Sequence, residues 1–155
     1  MTPATPYRAQ APQDWGAVLR LIQIAFAGME GRIDPPSSMH HLTVADIARQ
    51  AEEAEVWLIG AKPVACVFLT PKPGMLHIGK LAVDAAHRGQ GLARALIATA
   101  EARARALGLP LLELQSRVEL LENHATFAAL GFRQTGATAH PGYLRPTSLT
   151  FARPV

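Results

Sequence analysis

Cysteine is almost missing from this chain. Cys66 is the only one in 155 residues, so no disulfide can close within the chain, and a reducing compartment is the simple inference. Long apolar runs are also missing. Charges or prolines interrupt each hydrophobic stretch before it reaches the ~20 residues that cross a bilayer. The N-terminus lacks the basic-then-apolar layout of a secretory signal. These absences lead us to expect a cytoplasmic protein with no membrane partner. Lysine and arginine are scattered and the net charge is a mild +3, whereas a nucleic-acid binder usually concentrates its basic residues in one patch. No internal repeat is visible.

What is present fits one globular domain over residues 1–155. Hydrophobic residues make up 49% and charged residues 17%, a balance that supplies a core and excludes a disordered chain. The elements alternate. Residues 7–10 read as a short strand. Pro12 and Asp14 open an amphipathic helix carrying Val18, Leu19, Ile22 and Phe26, which ends near Gly28. Residues 29–42 are polar and turn-rich. A capping box in Thr43-Val44-Ala45-Asp46 starts a second helix reaching about Ala54. Strands are expected over 56–60, 64–70 and 75–83, with turns at Lys62-Pro63 and over 71–74. A long helix over 89–107 has Leu92, Leu96, Ala100 and Leu107 on one face, a Glu101–Arg105 pair on another, and Gly108 as its cap. A strand over 111–115, a helix over 122–130, and closing strands over 132–135 and 148–151 complete the chain.

The most informative segment is Leu81-Ala82-Val83-Asp84-Ala85-Ala86-His87-Arg88-Gly89-Gln90-Gly91-Leu92-Ala93-Arg94. It is a strand running through a glycine turn into the long helix. The first N–H groups of a helix have no intrahelical partner and lie at the positive end of its dipole. Gly89 and Gly91 remove the Cβ atoms that would hold an anion away, and Arg88 adds a charge, so the turn suits a diphosphate. A Walker A loop is excluded because no Lys-Ser or Lys-Thr follows these glycines. A dinucleotide fingerprint is excluded because Arg94 stands where its third glycine belongs.

The remaining pattern, Arg88-x-x-Gly91-x-Ala93, resembles the coenzyme A pyrophosphate loop of the GNAT superfamily of N-acetyltransferases. Phe127-Ala128-Ala129-Leu130-Gly131-Phe132 resembles that family's aromatic-x-x-x-Gly-Phe block after the fifth strand. The resemblance covers roughly residues 75–133. It implies an α/β (α+β) GNAT fold: a mixed, mostly antiparallel sheet of about seven strands, with helices on both faces and the fourth and fifth strands splayed. It further implies acetyl-CoA as acetyl donor. The diphosphate would then lie on Arg88, Gly89, Gln90, Gly91, Leu92, Ala93 and Arg94, and the acetyl and pantetheine groups along Leu81, Ala82 and Val83. Asn123 and Phe127 would flank the pantetheine arm. Asn123 reads equally well as an ordinary first-turn helix residue.

The chemistry is acetyl transfer to an amine, which needs a proton acceptor and a route for the leaving thiolate. Members of the resembled superfamily carry a glutamate or histidine base at the position of His77. By the two-residue period His77 shares a strand face with Gly79 and Leu81. A structural histidine with a satisfied hydrogen bond reads as well from sequence. Relatives often place a tyrosine acid at the position of Phe127, which has no hydroxyl, so water or Tyr143 from the last loop is left to protonate the thiolate. Residues 30–41 fall where the family walls its acceptor site, making Glu30, Asp34 and Ser37, with His140 from the last loop, candidate acceptor contacts. A solvated loop is the plain alternative. His40-His41 is adjacent rather than spaced for a shared ion, so no metal is expected. The reading is an N-acetyltransferase acting by direct attack in a ternary complex on a small-molecule or peptide amine. A homodimer is compatible with it. The alternatives are a non-catalytic acyl-CoA-binding module on the same fold and, on the pI alone, a small nucleic-acid-binding protein.

Overall fold

A computed structural model describes residues 5–155. A seven-stranded sheet runs through it in the order β1-β2-β3-β4-β5-β7-β6. β1 (Tyr7–Arg8), β2 (Glu55–Ile59), β3 (Ala65–Lys72) and β4 (Met75–Val83) form one antiparallel half. β5 (Leu111–Arg117), β7 (Ser148–Pro154) and β6 (Arg133–Thr138) form the other, with β7 in the middle. The two halves meet where β4 and β5 run parallel, and this pairing stops at Ile78 opposite Leu114. Beyond it the strands part. The mixed, mostly antiparallel sheet and the splayed fourth and fifth strands are as the resemblance implied.

Each face of the sheet carries its own core. α1 (Trp15–Phe26) and α2 (Val44–Glu53) bury Val18, Ile22 and Ile47 against Val56, Leu58, Cys66 and Phe68. α3 (Leu92–Ala106), with Phe127 and Leu130 of the α4 region (Leu121–Ala129), covers Val67, Leu69, Leu76, Leu112 and Phe151. The alternation of side chains along each strand divides the residues between these cores. One buried charge ties α3 to the sheet. Glu55 accepts from Arg103 Nε and Nη2 at 2.9 and 2.8 Å and from Trp57 Nε1 at 2.8 Å. Burial alone would push this carboxyl up, but the Arg103 and Trp57 hydrogen bonds outweigh it and hold it below its ordinary range.

Local signals place the helix ends. Asp14 caps α1 through Ala17 N, and Thr43 and Asp46 form the full reciprocal capping box of α2. Several boundaries differ from expectation: β1 stops at Arg8, α3 opens at Leu92 rather than residue 89, and β6 and β7 run on to Thr138 and Pro154. Leu107 follows the last residue of α3 and is 42% exposed, because Gly108 at φ +71 turns the chain away; Ile97 and Ala104 complete the buried face instead. Pro71 and Lys72 continue β3 at the sheet's rim, and the turn narrows to residues 73–74. β5 runs two residues past Gln115, adding Ser116 and Arg117, which pair with Leu149 and Ser148.

β4 is bulged. Gly79 lies opposite Phe68 and Ala82 opposite Cys66, so β4 carries one residue more than β3 between them, and Lys80 takes φ +49. The extra residue reverses the parity of the strand. Before it, Leu76 and Ile78 join the α3-side core; after it Ala82 lies in the α1-side core while Leu81 and Val83 pack on the α3 side. His77 and Gly79 therefore do not share a face with Leu81, as simple alternation predicts. They look toward α1, and Leu81 looks toward α3.

Candidate active site

Where β4 and β5 part, a cleft of about 370 Å³ opens between the two sheet halves. The bulge and the strand parities give its two sides different chemistry. Leu81, Leu114, Ser116, Leu120, Asn123 and Phe127 line the α3/α4 side. Phe127 packs at 6.2 Å from Phe132 and 6.0 Å from Phe151, ring centre to ring centre, so its phenyl edge belongs to both the core and the cleft. Ser116 Oγ is buried and has no hydrogen-bond partner among the described residues. A buried hydroxyl without a partner is costly, so one facing a cleft is poised for whatever enters it.

Next to this side stands the glycine turn. Gly89 and Gly91 adopt φ of +77 and +78, and a Cβ at either would meet nothing within 4 Å. That empty space is where an anion could approach the backbone. Gly91 is the N-cap of α3 and offers no capping side chain; among the described residues, no acceptor takes the N–H groups from Gly89 to Arg94. Arg88, Gln90 and Arg94 are exposed around them. The turn has the donor set, dipole and clearance that a diphosphate requires. Leu81 alone of the strand residues 81–83 reaches the cleft; the Ala82 side chain is buried on the other face and Val83 lies against the α3-side core.

The α1 side is polar. His77 and Glu113 are register partners across the parallel pair, and His77 Nδ1 lies 3.3 Å from Glu113 Oε1. An Nδ1–H donated to that carboxylate leaves Nε2 as the free acceptor. A Cβ placed on Gly79 would lie 3.9 Å from His77 Nε2 and Cδ2, so the imidazole edge stands over a glycine, with room beside it. Burial, with help from the Lys72 charge, holds the His77 imidazole below its ordinary value against the upward pull of Glu113. The ring is thus neutral near pH 7, the form that accepts a proton. Phe26, Met29, Ser37, Ser38, Lys80, Arg117 and His140 complete this side.

Residues 30–38 form a strap over the opening, fastened by polar contacts. Arg117 donates to Pro35 O at 2.6 Å and Pro36 O at 3.0 Å, and Lys80 Nζ to Ser38 Oγ at 2.9 Å. Asp34 accepts from the Tyr143 hydroxyl at 2.5 Å and pairs with Arg145 at 3.5 Å. Tyr143 is not among the residues that line the cleft; its hydroxyl fastens the last loop to the strap. Glu30 faces outward, paired with His40 Nε2 at 2.5 Å. Of the four acceptor candidates, Ser37 and His140 line the cleft, while Glu30 and Asp34 act on the strap's outer edge. His140 Nδ1 is bound to Thr147 Oγ1. No group of three His, Cys, Asp or Glu among the described residues is arranged to hold a metal.

Several cleft residues escaped the sequence reading, and Lys80, Ser116 and Arg117, with Glu113 beside His77, are those that carry chemistry. Glu113 had a signal, a carboxylate inside the apolar run Leu111-Leu112-Glu113-Leu114. Ser116 and Arg117 were lost with the premature end of β5, and Lys80 with the unforeseen bulge.

Comparison with known proteins agrees with the fold. A profile of the acetyltransferase (GNAT) family matches residues 18–132. N-acetyltransferase 8B of Homo sapiens is 37% identical over 87 residues, which are 56% of this chain and 37% of the human protein; the matched stretch is thus little more than a third of that relative. Among solved structures, an acetyltransferase from Streptococcus agalactiae superimposes with a TM-score of 0.77 at 17% identity, covering 100% of both chains. A GNAT family acetyltransferase from Elizabethkingia anophelis with acetyl-CoA bound gives 0.74 at 15% identity, again over 100% of both.

Proposed function

The chain belongs to the GNAT acetyltransferase family, and from that premise we propose that it moves an acetyl group from acetyl-CoA to a primary amine by direct attack in a ternary complex. The observation that carries this reading is His77. A neutral imidazole, oriented through Nδ1 by Glu113, presents Nε2 over Gly79 in the cleft where β4 and β5 separate. The bound acetyl-CoA of the Elizabethkingia anophelis neighbour and the activity named for the human relative support the same assignment.

The residues divide the work. The amides from Gly89 to Ala93, with Arg88, would hold the diphosphate. Leu81, Leu120, Asn123 and Phe127 would line the path of the pantetheine arm. When bound, acetyl-CoA supplies an acyl group on a thioester, whose thiolate leaves readily. His77 Nε2 takes a proton from the ammonium form of the acceptor, directly or through one water, so that a free amine faces the acyl carbon. Glu113 keeps the ring in the required tautomer and stabilises the imidazolium that results. Ser116 Oγ–H is an available donor on the side where the thiol departs, with solvent as the final proton source; Phe127 contributes packing only. The proposed compartment is the cytoplasm, on the strength of the lone buried Cys66.

The test is thiol release from acetyl-CoA on addition of individual amines. We expect release that depends on a particular amine and a rate that climbs as His77 loses its proton. Tight acetyl-CoA binding without thiol release for any amine would instead mark a non-catalytic acyl-CoA-binding module.

A further inference from the structure

Lys80 and Arg117 face each other across the mouth of the cleft, one from the bulge of β4 and the other from the end of β5. Their hydrogen bonds go only to neutral groups of the strap, the Ser38 hydroxyl and the Pro35 and Pro36 carbonyls. Among the described residues neither makes an ion pair. The strap and last-loop carboxylates are engaged elsewhere: Asp34 with Tyr143 and Arg145, Glu30 with His40, Glu122 with Arg32 at 2.7 Å. Glu113 is turned to His77, and Glu119 Oε2 accepts from Asp34 N at 3.3 Å. Two like charges thus share a partly buried site in which no carboxylate of the described residues lies within ion-pairing distance of either; Glu119 Oε1, two residues from Arg117, is buried without a partner and does not reach them. Burial first, and then the Arg117 charge, lower the pKa of the Lys80 ammonium, as an uncompensated pair requires.

Such an arrangement is unfavourable by itself, since desolvated cations need partners. Here the fold accepts a second penalty in the same place. Lys80 has φ +49, a left-handed conformation that a residue with a Cβ adopts at a cost. The coenzyme does not explain the pair. Its charged diphosphate belongs at the 88–94 turn, and the pantetheine arm that would cross the cleft is uncharged. The missing negative charge has to arrive with the acceptor.

We propose that the acceptor is an amine that also bears a carboxylate, with Lys80 and Arg117 holding the carboxylate while the amine lies at His77. This rests on the acetyl-transfer reading above and narrows it. An amino acid has the right pair of groups. Polycationic amines, such as polyamines and aminoglycosides, would bring charge of the same sign to the mouth and be rejected. Lys80 and Arg117 approach from different strands, so a carboxylate between them is gripped from two directions, and Ser38 and the proline carbonyls keep both cations in place when the site is empty of it.

Matched pairs test this: phenylalanine against phenethylamine, tryptophan against tryptamine, lysine against cadaverine, each with acetyl-CoA and thiol release as the readout. Charge-assisted contacts predict about a 10- to 100-fold advantage in kcat/KM for the acid of at least one pair. Lys80→Gln should erase that advantage by slowing the acid alone, and Lys80→Arg should keep most of it. Arg117→Gln should act in the same direction; it removes two of the strap's fastenings, whereas Lys80→Gln touches only the Ser38 bond, to which a glutamine amide can still donate, so Lys80→Gln is the deciding variant. Calorimetry provides a reading without turnover, since the N-acetylated acid should bind the CoA-loaded protein and lose affinity by a similar factor in Lys80→Gln. Decarboxylated amines that react as well as the acids overturn the carboxylate assignment and leave acetyl transfer intact. Thiol release with neither member of any pair, in a protein that binds acetyl-CoA, overturns both.

Discussion

The two sides of the cleft solve different problems by different means. The α3/α4 side is mostly apolar in its side chains, Ser116 and Asn123 excepted, and offers most of its polar groups through the backbone, at a glycine turn that opens a helix. The α1 side works through ionisable side chains on strands, His77 with Glu113 and Lys80 with Arg117, and through a strap they help to fasten. A coenzyme of fixed shape suits backbone donors, which have no rotamers to order. An acceptor differing from one enzyme to the next suits side chains, which substitution can change without altering the fold. The contrast teaches that coenzyme affinity and turnover should be separable in this protein, and variants on each side can break that claim.

The largest effect is expected at the base. His77→Ala removes the proposed proton acceptor and should lower turnover by ~10²–10⁴-fold. Acetyl-CoA affinity, measured by calorimetry, should stay within a few-fold, because His77 faces α1 and the diphosphate turn lies on the α3 side. A variant that loses both together would mean the two sides act as one site.

The reciprocal change comes next. Gly91→Glu puts a carboxylate at the N-cap of α3 and a Cβ at a φ of +78. Losing one or two charge-assisted contacts and adding repulsion should weaken acetyl-CoA binding by about 100-fold. The open space around Gly91 means that the folded protein should survive, with backbone strain of only about 1 kcal/mol. Unchanged acetyl-CoA binding would show that the diphosphate lies elsewhere.

These two sites also mark how far the chain could be read without coordinates. The glycine turn was legible because its chemistry is local: consecutive residues set the helix start, the positive φ and the free amides. The order of elements along the chain, the helix caps and the splayed pair followed from periodicity, capping patterns and the family resemblance. The α1 side was not legible to the same depth. His77 was named from the sequence and lines the cleft, but Glu113 became its partner only through the parallel register of β4 and β5, which joins residues 36 apart. Lys80 reached the cleft through a bulge, and a one-residue bulge reverses every side chain after it. Tyr143 was placed by type and loop membership, and only the contact across to Asp34 gave its actual partner.

A smaller effect tests the His77–Glu113 pair through pH. The rate needs neutral His77, so it falls as pH drops through the pKa of that ring, which burial holds below the ordinary histidine value. Glu113 pulls this pKa upward, so Glu113→Gln should move the acid limb of the rate profile to lower pH. The glutamine oxygen still accepts from Nδ1–H, and the tautomer is kept. A less basic ring is a weaker acceptor, so the plateau rate should fall by about three- to tenfold. An acid limb that does not move would mean that Glu113 merely packs beside the ring.

The smallest effect is expected at Tyr143, and it decides where the last loop acts. The hydroxyl donates to Asp34 on the exposed edge of the strap, and that bond raises its pKa above the ordinary phenol value, so it stays protonated near neutrality. Tyr143→Phe removes this fastening and nothing within the cleft. A single exposed hydrogen bond contributes little, and here its loss loosens a strap still held by Arg117, Lys80 and Arg145. Turnover at saturating substrates should therefore change less than about threefold, while KM for the amine rises by a similar factor as the strap samples open positions. Phe127→Tyr provides the control from the opposite side, since it adds a hydroxyl to the cleft wall that the proposed pantetheine path would follow. If thiolate loss limits the rate, that variant speeds turnover alike in the parent and in the Tyr143→Phe background. If Tyr143 were the acid instead, Tyr143→Phe would be slow by itself and Phe127→Tyr would rescue it. A slow, rescued Tyr143→Phe would thus move the last loop from the strap's edge to the reacting sulfur and erase the division between the two sides.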